Sequence, residues 1–353
     1  MTQTWAIFYD AYRSLNAKKM FWIVLILSGL IVAAFAAVGI NKDGLTILGR
    51  QWDNPAFNTG EFPGAMFYKV FLFSFLGVHI WLGMVATILG LVSTAGIFPD
   101  LINSGAIDLV IAKPISRLRL FLTQYVAGLL FVALQVTAFC LGGFFLIGLR
   151  GGEWEPGIFV AVPLVVCLFS YFFAVSVFLG LITRSTIASL LLTLLVWIAV
   201  FSIGKTEQIL LFSRTMEEME ISMVDLQNEQ AQAKRRGGAN PDREKPSEEQ
   251  PSPPVTKKKP ERTNLAIAHD IFYYAKLALP KMSETVSLLE QTVISMAELE
   301  DQQSQRGETE KRANKGLEEA FGGRSVAWVL GTSLGFELFF LAWAAWIFCR
   351  RDF

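Results

Sequence analysis

Glu337, in the stretch LGFELFFLAW, is the one carboxylate set well inside a long apolar run of this chain. An ionisable group in hydrocarbon is costly, so it must face protein, water or a partner, which makes it a functional candidate. The structural alternative is pairing with His79 or with a hydroxyl such as Thr87, and the residues leave both readings open. His79 lies in another apolar run, and His269 is the only other histidine. Neither histidine sits in an HExxH-like pattern, so a metal site within one chain is hard to build, and His79 reads better as an interhelical hydrogen-bonder than as a ligand. The run IGKTE, Ile203 to Glu207, resembles the end of a phosphate-binding loop. Such a loop needs a glycine five residues before Gly204, where this chain has Ala199 in an apolar helix. Cys140, Cys167 and Cys349 all fall in or at the ends of apolar runs and read as packing residues. No nucleophile with a base, no paired intramembrane carboxylates and no metal set can be assembled, so neither catalytic nor metal-ligating residues are assigned.

The elements that hold these groups are membrane spans. The 353-residue chain is 53% hydrophobic, and its charge is concentrated between Lys205 and Arg324, leaving long blocks elsewhere almost free of it. An apolar run of at least ~18 residues can cross a hydrocarbon layer of ~30 Å. The predicted fold is an all-α polytopic membrane protein with six transmembrane helices: Met20 to Gly39, Met66 to Leu91, Phe121 to Leu149, Gly157 to Ile182, Ile187 to Ile203, and Val326 to Phe348. Only TRST separates the fourth from the fifth, which predicts a tight hairpin. With the N-terminus inside, Arg13, Lys18, Lys19, Lys113, Arg117, Arg119, Arg184, Arg350 and Arg351 are cytoplasmic, against Lys42, Arg50, Lys69 and Arg150 outside. The excess of bases inside places both termini in the cytoplasm. The first run is too long, and too far from the N-terminus, for a cleavable signal peptide, so it stays as an anchor.

Residues 1–19 set Trp5, Phe8, Tyr9, Tyr12 and Leu15 on one helical face and predict an N-terminal interfacial helix; a helix packed on protein is the alternative. Residues 20–204 carry the first five spans, and 326–353 the sixth with a basic tail. Between them, 205–325 is predicted to be a long extracytoplasmic insertion of two helical arms. The arms flank a Pro-, Glu- and Lys-rich linker, 234–263, too polar to repay ordering, and the second arm breaks at Pro280. Net charge is zero, so no global electrostatic argument favours a nucleic-acid partner.

The loop 93–119 is the most informative stretch. Pro99 suits the first turn of a helix with Asp100 at its positive end, Gly105 suits its stop or a bend, Pro114 breaks the next run, and Ser116 can cap the following span. Ile107, Val110 and Ile111 share one face, with Asp108 and Lys113 off it. A half-apolar cytoplasmic helix of this kind lies on lipid or docks on a partner.

The run GIFPDLINSGAIDLVIAKPISRLRLFLTQY resembles the signature of ABC-2 type transporter permeases, through Asp100, Gly105, Ile107, Asp108, Leu109, Lys113, Pro114, Ser116 and Arg117. The closing FCRRDF and the AKLALPKMSETVSLLEQTV segment are also similar to that family, whereas the 234–263 insertion departs from it. The resemblance implies an export-type permease in a bacterial plasma membrane, with a cytoplasmic coupling helix within Pro99 to Arg117 docked on a separate ATPase. Asp100 and Asp108 are the implied contacts. It further implies a second permease chain, identical or not, and ATP with magnesium held by the ATPase rather than by this chain. A scaffold or sensor whose arms bind envelope partners through 205–325 is the competing reading, and an intramembrane enzyme using Glu337 and His79 the third.

Overall fold

The computed structural model describes Tyr9, Arg13 and residues 19–42, 44–53, 67–103, 116–152, 154–237, 264–277, 279–293 and 326–350. The interfacial-helix residues Trp5, Phe8, Tyr12 and Leu15 lie outside these, as do Gly105, Asp108, Lys113, Pro114 and the linker from residue 238 to 263. The chain divides into two compact units, Met1–Phe201 with Ala278–Gln305 and Val326–Phe353, and Ser202–Leu277 with Arg306–Ser325.

The first unit is a helical bundle. Helix α1, Lys19–Ala37, leads directly into a β-meander of β1, Val38–Asn41, β2, Gly44–Ile47, and β3, Arg50–Asp53. The helical pattern of the sequence did not foresee this sheet. Its signals are a Lys-Asp and a Leu-Gly pair between short strands, the spacing of two-residue hairpin loops. Leu48 (φ 50°) and Gly49 (φ 79°) both adopt positive φ, as a type I′ turn demands. Glycine does so freely, whereas leucine pays roughly 1–2 kcal/mol.

Phe67–Ala86 is wound as a π-helix. Its large buried apolar residues cluster at Phe67–Tyr68, Leu72–Phe73, Val78 and Trp81–Leu82, recurring about every five residues, the repeat that an i→i+5 bonded helix stacks on one face. The Thr87 hydroxyl donates to the Leu82 carbonyl five residues back, where the winding tightens into α2, Thr87–Thr94. Helix α3, Ile97–Asn103, follows almost at once, so the apolar path runs Phe75–Ile102 and passes the predicted end at Leu91. Ala95 and Phe98 are buried, which is why the path does not stop where hydropathy alone placed it.

Helix α4, Arg117–Leu146, ends in a π-turn, Ile147–Gly151; a short 3₁₀ helix, Pro156–Val160, then opens α5, Ala161–Thr183. Arg184 takes φ 53° to close α5, and the Ser185 hydroxyl accepts from the Ala188 amide to start α6, Thr186–Gly237, making the predicted tight hairpin. The Ser189 hydroxyl donates to the Ser176 carbonyl at 2.6 Å, pinning α5 to α6. Gly204 to Thr206 lie within α6, which also runs past Lys234 into the stretch assigned to the linker. Helix α9, Val326–Arg350, packs chiefly on α5, and α1 packs on α4. Close approach depends on glycines facing rings: Gly90 on Phe169, Gly128 on Phe173, and Gly143 on Phe73. In lipid such packing, rather than hydrophobic exclusion, holds helices together.

Among the described residues, five helices are long and apolar enough to cross a membrane: Phe75–Ile102, Arg117–Gly151, Pro156–Thr183, Thr186–Leu210 and Val326–Arg350. The predicted first span corresponds to α1, Lys19–Ala37, whose described apolar stretch Phe21–Ala37 is shorter than these and is followed at once by the strands.

Helix α7, Asn264–Leu277, belongs to the second unit with the distal part of α6. There Lys276 and Glu207 form a buried ion pair at 2.7 Å. Pro280 separates α7 from α8, Met282–Val293, as the sequence predicts. Yet α8 packs on the π-helix, α5 and α9 within the first unit, so the compact units do not divide at the 205–325 boundary. Met282 and Val286, four residues apart, bury one helical face there.

Candidate functional site

The loop expected to carry coupling is clamped to the bundle at both ends. Pro99 and Asp100 sit in the first turn of α3, as the capping pattern predicts. Pro99 packs on Gly180 of α5, where an added Cβ would lie 3.2 Å from its ring. Asp100 Oδ1 accepts from the Thr186 hydroxyl, 3.2 Å away at the start of α6. Phe98 is buried against Phe121 of α4 and Phe348 of α9, with ring centroids 5.1 and 6.2 Å distant. At the far end Ser116 caps α4, accepting from the Arg119 amide at 3.4 Å, and Arg117 donates to the Cys349 carbonyl at 3.4 Å. The loop is thus joined to α4, α5, α6 and α9.

Glu337 is 8% exposed and lies between two hydroxyls of other helices. Tyr125 of α4 donates to Oε1 at 2.8 Å, and Ser170 of α5 donates to Oε2 at 2.6 Å. His79 and Thr87 are not among its partners: the His79 ring stacks on Phe75 at 6.3 Å, and the Thr87 hydroxyl donates to the Leu82 carbonyl of the π-helix. Both carboxylate oxygens are satisfied, which is what makes the group tolerable inside apolar surroundings.

The polar path continues beyond Glu337. The Cys167 thiol meets the Tyr171 hydroxyl at 3.0 Å, and the hydroxyls of Thr285 and Ser333 lie near that of Tyr171. Ser333 Oγ accepts from the Lys281 amide at 2.8 Å, joining α9 to the start of α8. The Lys281 side chain is fully buried, with Nζ 3.1 Å from the Leu279 carbonyl and 5.1 Å from the Trp328 ring centre. Such a path ties α4, α5, α8 and α9 together. Of its members only Glu337 was a functional candidate from sequence, Cys167 having been read as a packing residue. Ser333 and Glu337 stand four apart on one helical face, and that spacing is the signal that a polar stripe continues.

At the other end of the bundle, Glu155 accepts from the Gly157 amide at 3.3 Å, capping the Pro156–Val160 helix, and pairs with Lys69 at 2.9 Å. The Lys69 hydrogen bond and charge hold the Glu155 carboxyl below its usual range, against the opposing pull of partial burial. A carboxyl acidified by folding stabilises the folded state above its unfolded pKa, and that contribution disappears as pH falls through the folded value. Glu155→Gln is therefore expected to lower the melting temperature in detergent at pH 7, with the gap to wild type narrowing as pH falls below the ordinary carboxyl range. A gap that does not change with pH would show that the pair contributes no linkage.

Among the described residues no group of three or more His, Cys, Asp or Glu side chains is placed to hold a metal ion. Comparison with protein-family models, curated proteins and solved structures finds no match. The bundle itself defines the class: a multi-pass helical membrane protein.

Proposed function

We propose that this chain is the membrane-spanning permease subunit of an ATP-binding cassette transporter, of the export type, driven by a separate cytoplasmic ATPase. The anchoring of the two described flanks of residues 104–115, at Pro99 and Asp100 and at Ser116 and Arg117, carries the reading. A loop whose ends are bonded to four bundle helices passes a push from outside into the bundle as a rigid-body movement, where a loosely tethered loop would absorb it. ATP and magnesium belong to the ATPase in this scheme, and a second permease chain completes the pathway. The apolar stripe Ile187, Leu191, Leu195 and Ile198 is exposed at helical spacing on α6, a face that chain can cover.

The test is co-purification with the ATPase and measurement of its turnover. Asp100→Ala, Asp108→Ala and Pro114→Ala are expected to weaken complex formation or ATP turnover; if all three leave both unchanged, the coupling role fails. Thr186→Val and Arg117→Ala cut the clamps without removing the loop. They are expected to keep the ATPase bound while reducing its response to the membrane subunit. A scaffold that binds envelope partners through 205–325 is favoured by the 52-residue length of α6 and by the buried Glu207–Lys276 pair linking the arms. Retention of an envelope protein on the arms, with no ATPase bound, would select it.

A further inference from the structure

We propose that the β-meander, residues 38–53, is a lipid-inserted hairpin whose tip, Ile47, Leu48 and Trp52, lies in the headgroup–acyl boundary of the bilayer.

The register places Val38, Ile40, Leu45, Ile47, Arg50 and Trp52 on one face of the sheet, since Ile40 pairs with Leu45, Leu45 with Trp52, and Ile47 with both Val38 and Arg50. Val38, Ile40 and Leu45 pack on the bundle core. The same apolar face then runs outward to Ile47 and Trp52, which are 41% and 69% exposed, and turns through Leu48, which is 82% exposed. A soluble hairpin places Asn or Asp at the first turn position, because these side chains tolerate positive φ and favour water. Leucine has the strain without that benefit, so its side chain is there for an apolar surrounding.

The length of α1 says which surrounding that is. The helix, Lys19–Ala37, spans about 28 Å at 1.5 Å per residue, close to the thickness of a hydrocarbon layer of ~30 Å. No polar linker follows: Val38 continues the chain into β1. With Lys19 at one interface, the first strand starts close to the opposite boundary. The lipid-facing stripe Trp22, Ile26 and Leu30 is thereby extended by the sheet. Anchors mark the same level. Arg150 and Tyr68 both donate to the Val38 carbonyl, and Leu149 and Trp154, beside Arg150 in the chain, are 77% and 53% exposed. Exposed Lys42 and Arg50 supply cations for headgroup phosphates.

Two measurements on the full chain in phosphatidylcholine vesicles containing a minor anionic lipid test this. Leu48→Cys, Trp52→Cys and, on the polar face, Gln51→Cys are labelled with an environment-sensitive dye after the three native cysteines are replaced. Labels at 48 and 52 are expected to be blue-shifted, quenched by shallow nitroxide lipids, and quenched by iodide roughly threefold less than the label at 51. Equal iodide quenching at all three sites overturns the proposal. Protection from both quenchers that grows with protein density also overturns it, in favour of a second copy of the chain. The second measurement is free of labels. Leu48→Asn relieves the turn strain, so it raises the melting temperature if the tip is in water, and it leaves or lowers that temperature if the tip is in lipid. A rise in vesicles sinks the proposal.

Discussion

Glu207→Ala is expected to destabilise the second unit by about 3–5 kcal/mol, because it leaves the Lys276 ammonium buried without its carboxylate. The two side chains are 3% and 5% exposed, and their 2.7 Å contact links α6 to α7. Desolvation of both ions has already been paid in the native fold, so removing one partner strands the other. The pair itself need not be strongly stabilising. The double variant Glu207→Leu, Lys276→Met, which removes both charges and keeps the volume, is expected to recover most of the loss. Hydrogen-exchange protection across Asn264–Leu277 and thermal unfolding in detergent read both effects. If the double variant is as unstable as the single one, packing rather than the stranded charge explains the loss.

Gly128→Ala is expected to cost about 1–3 kcal/mol, and Gly128→Leu more, through overpacking between α4 and α5. A Cβ at Gly128 would lie 2.6 Å from Phe173 Cζ and 3.1 Å from Ile97 Cδ1. Phe173 cannot retreat freely, because it stacks on Phe169 at 5.2 Å and on Tyr125 at 5.0 Å. Displacing it moves the tyrosine that donates to Glu337. The substitution therefore loosens the polar path as well as the packing. Gly29→Ala and Gly331→Ala, where an added Cβ meets nothing within 4 Å, are the controls and are expected to be neutral or slightly stabilising. Shortening the obstacle, as in Gly128→Ala with Phe173→Leu, should restore part of the loss. Equal stability of Gly128→Ala and Gly29→Ala would show that the close approach carries no cost.

Much of the helical bundle is legible in the residues. Length and hydropathy locate the long spans, because a helix that crosses hydrocarbon must satisfy its backbone internally and show an apolar surface along its whole length. Local punctuation is equally readable: Ser116 caps α4, Pro99 and Asp100 open α3, Pro280 separates α7 from α8, and the short TRST run closes a hairpin. These are interactions between near neighbours, so chain order is enough to infer them.

What residue order left open are contacts between distant segments. Ser170 and Tyr125 meet Glu337 from 167 and 212 positions away, and nothing local distinguishes them from other hydroxyls on apolar helices. Helix α8 reads as part of a polar arm, yet Met282 and Val286 bury it among the spans. The period of the π-helix matches no α-helical template, and the meander was hidden because short strands after an apolar helix look like the end of that helix. The multi-pass architecture and its capping signals were decided by the sequence through local backbone chemistry and hydropathy. The partners of Glu337, the place of α8 and the fold of residues 38–53 were decided only in three dimensions, where packing selects one long-range pairing among many of equal local merit.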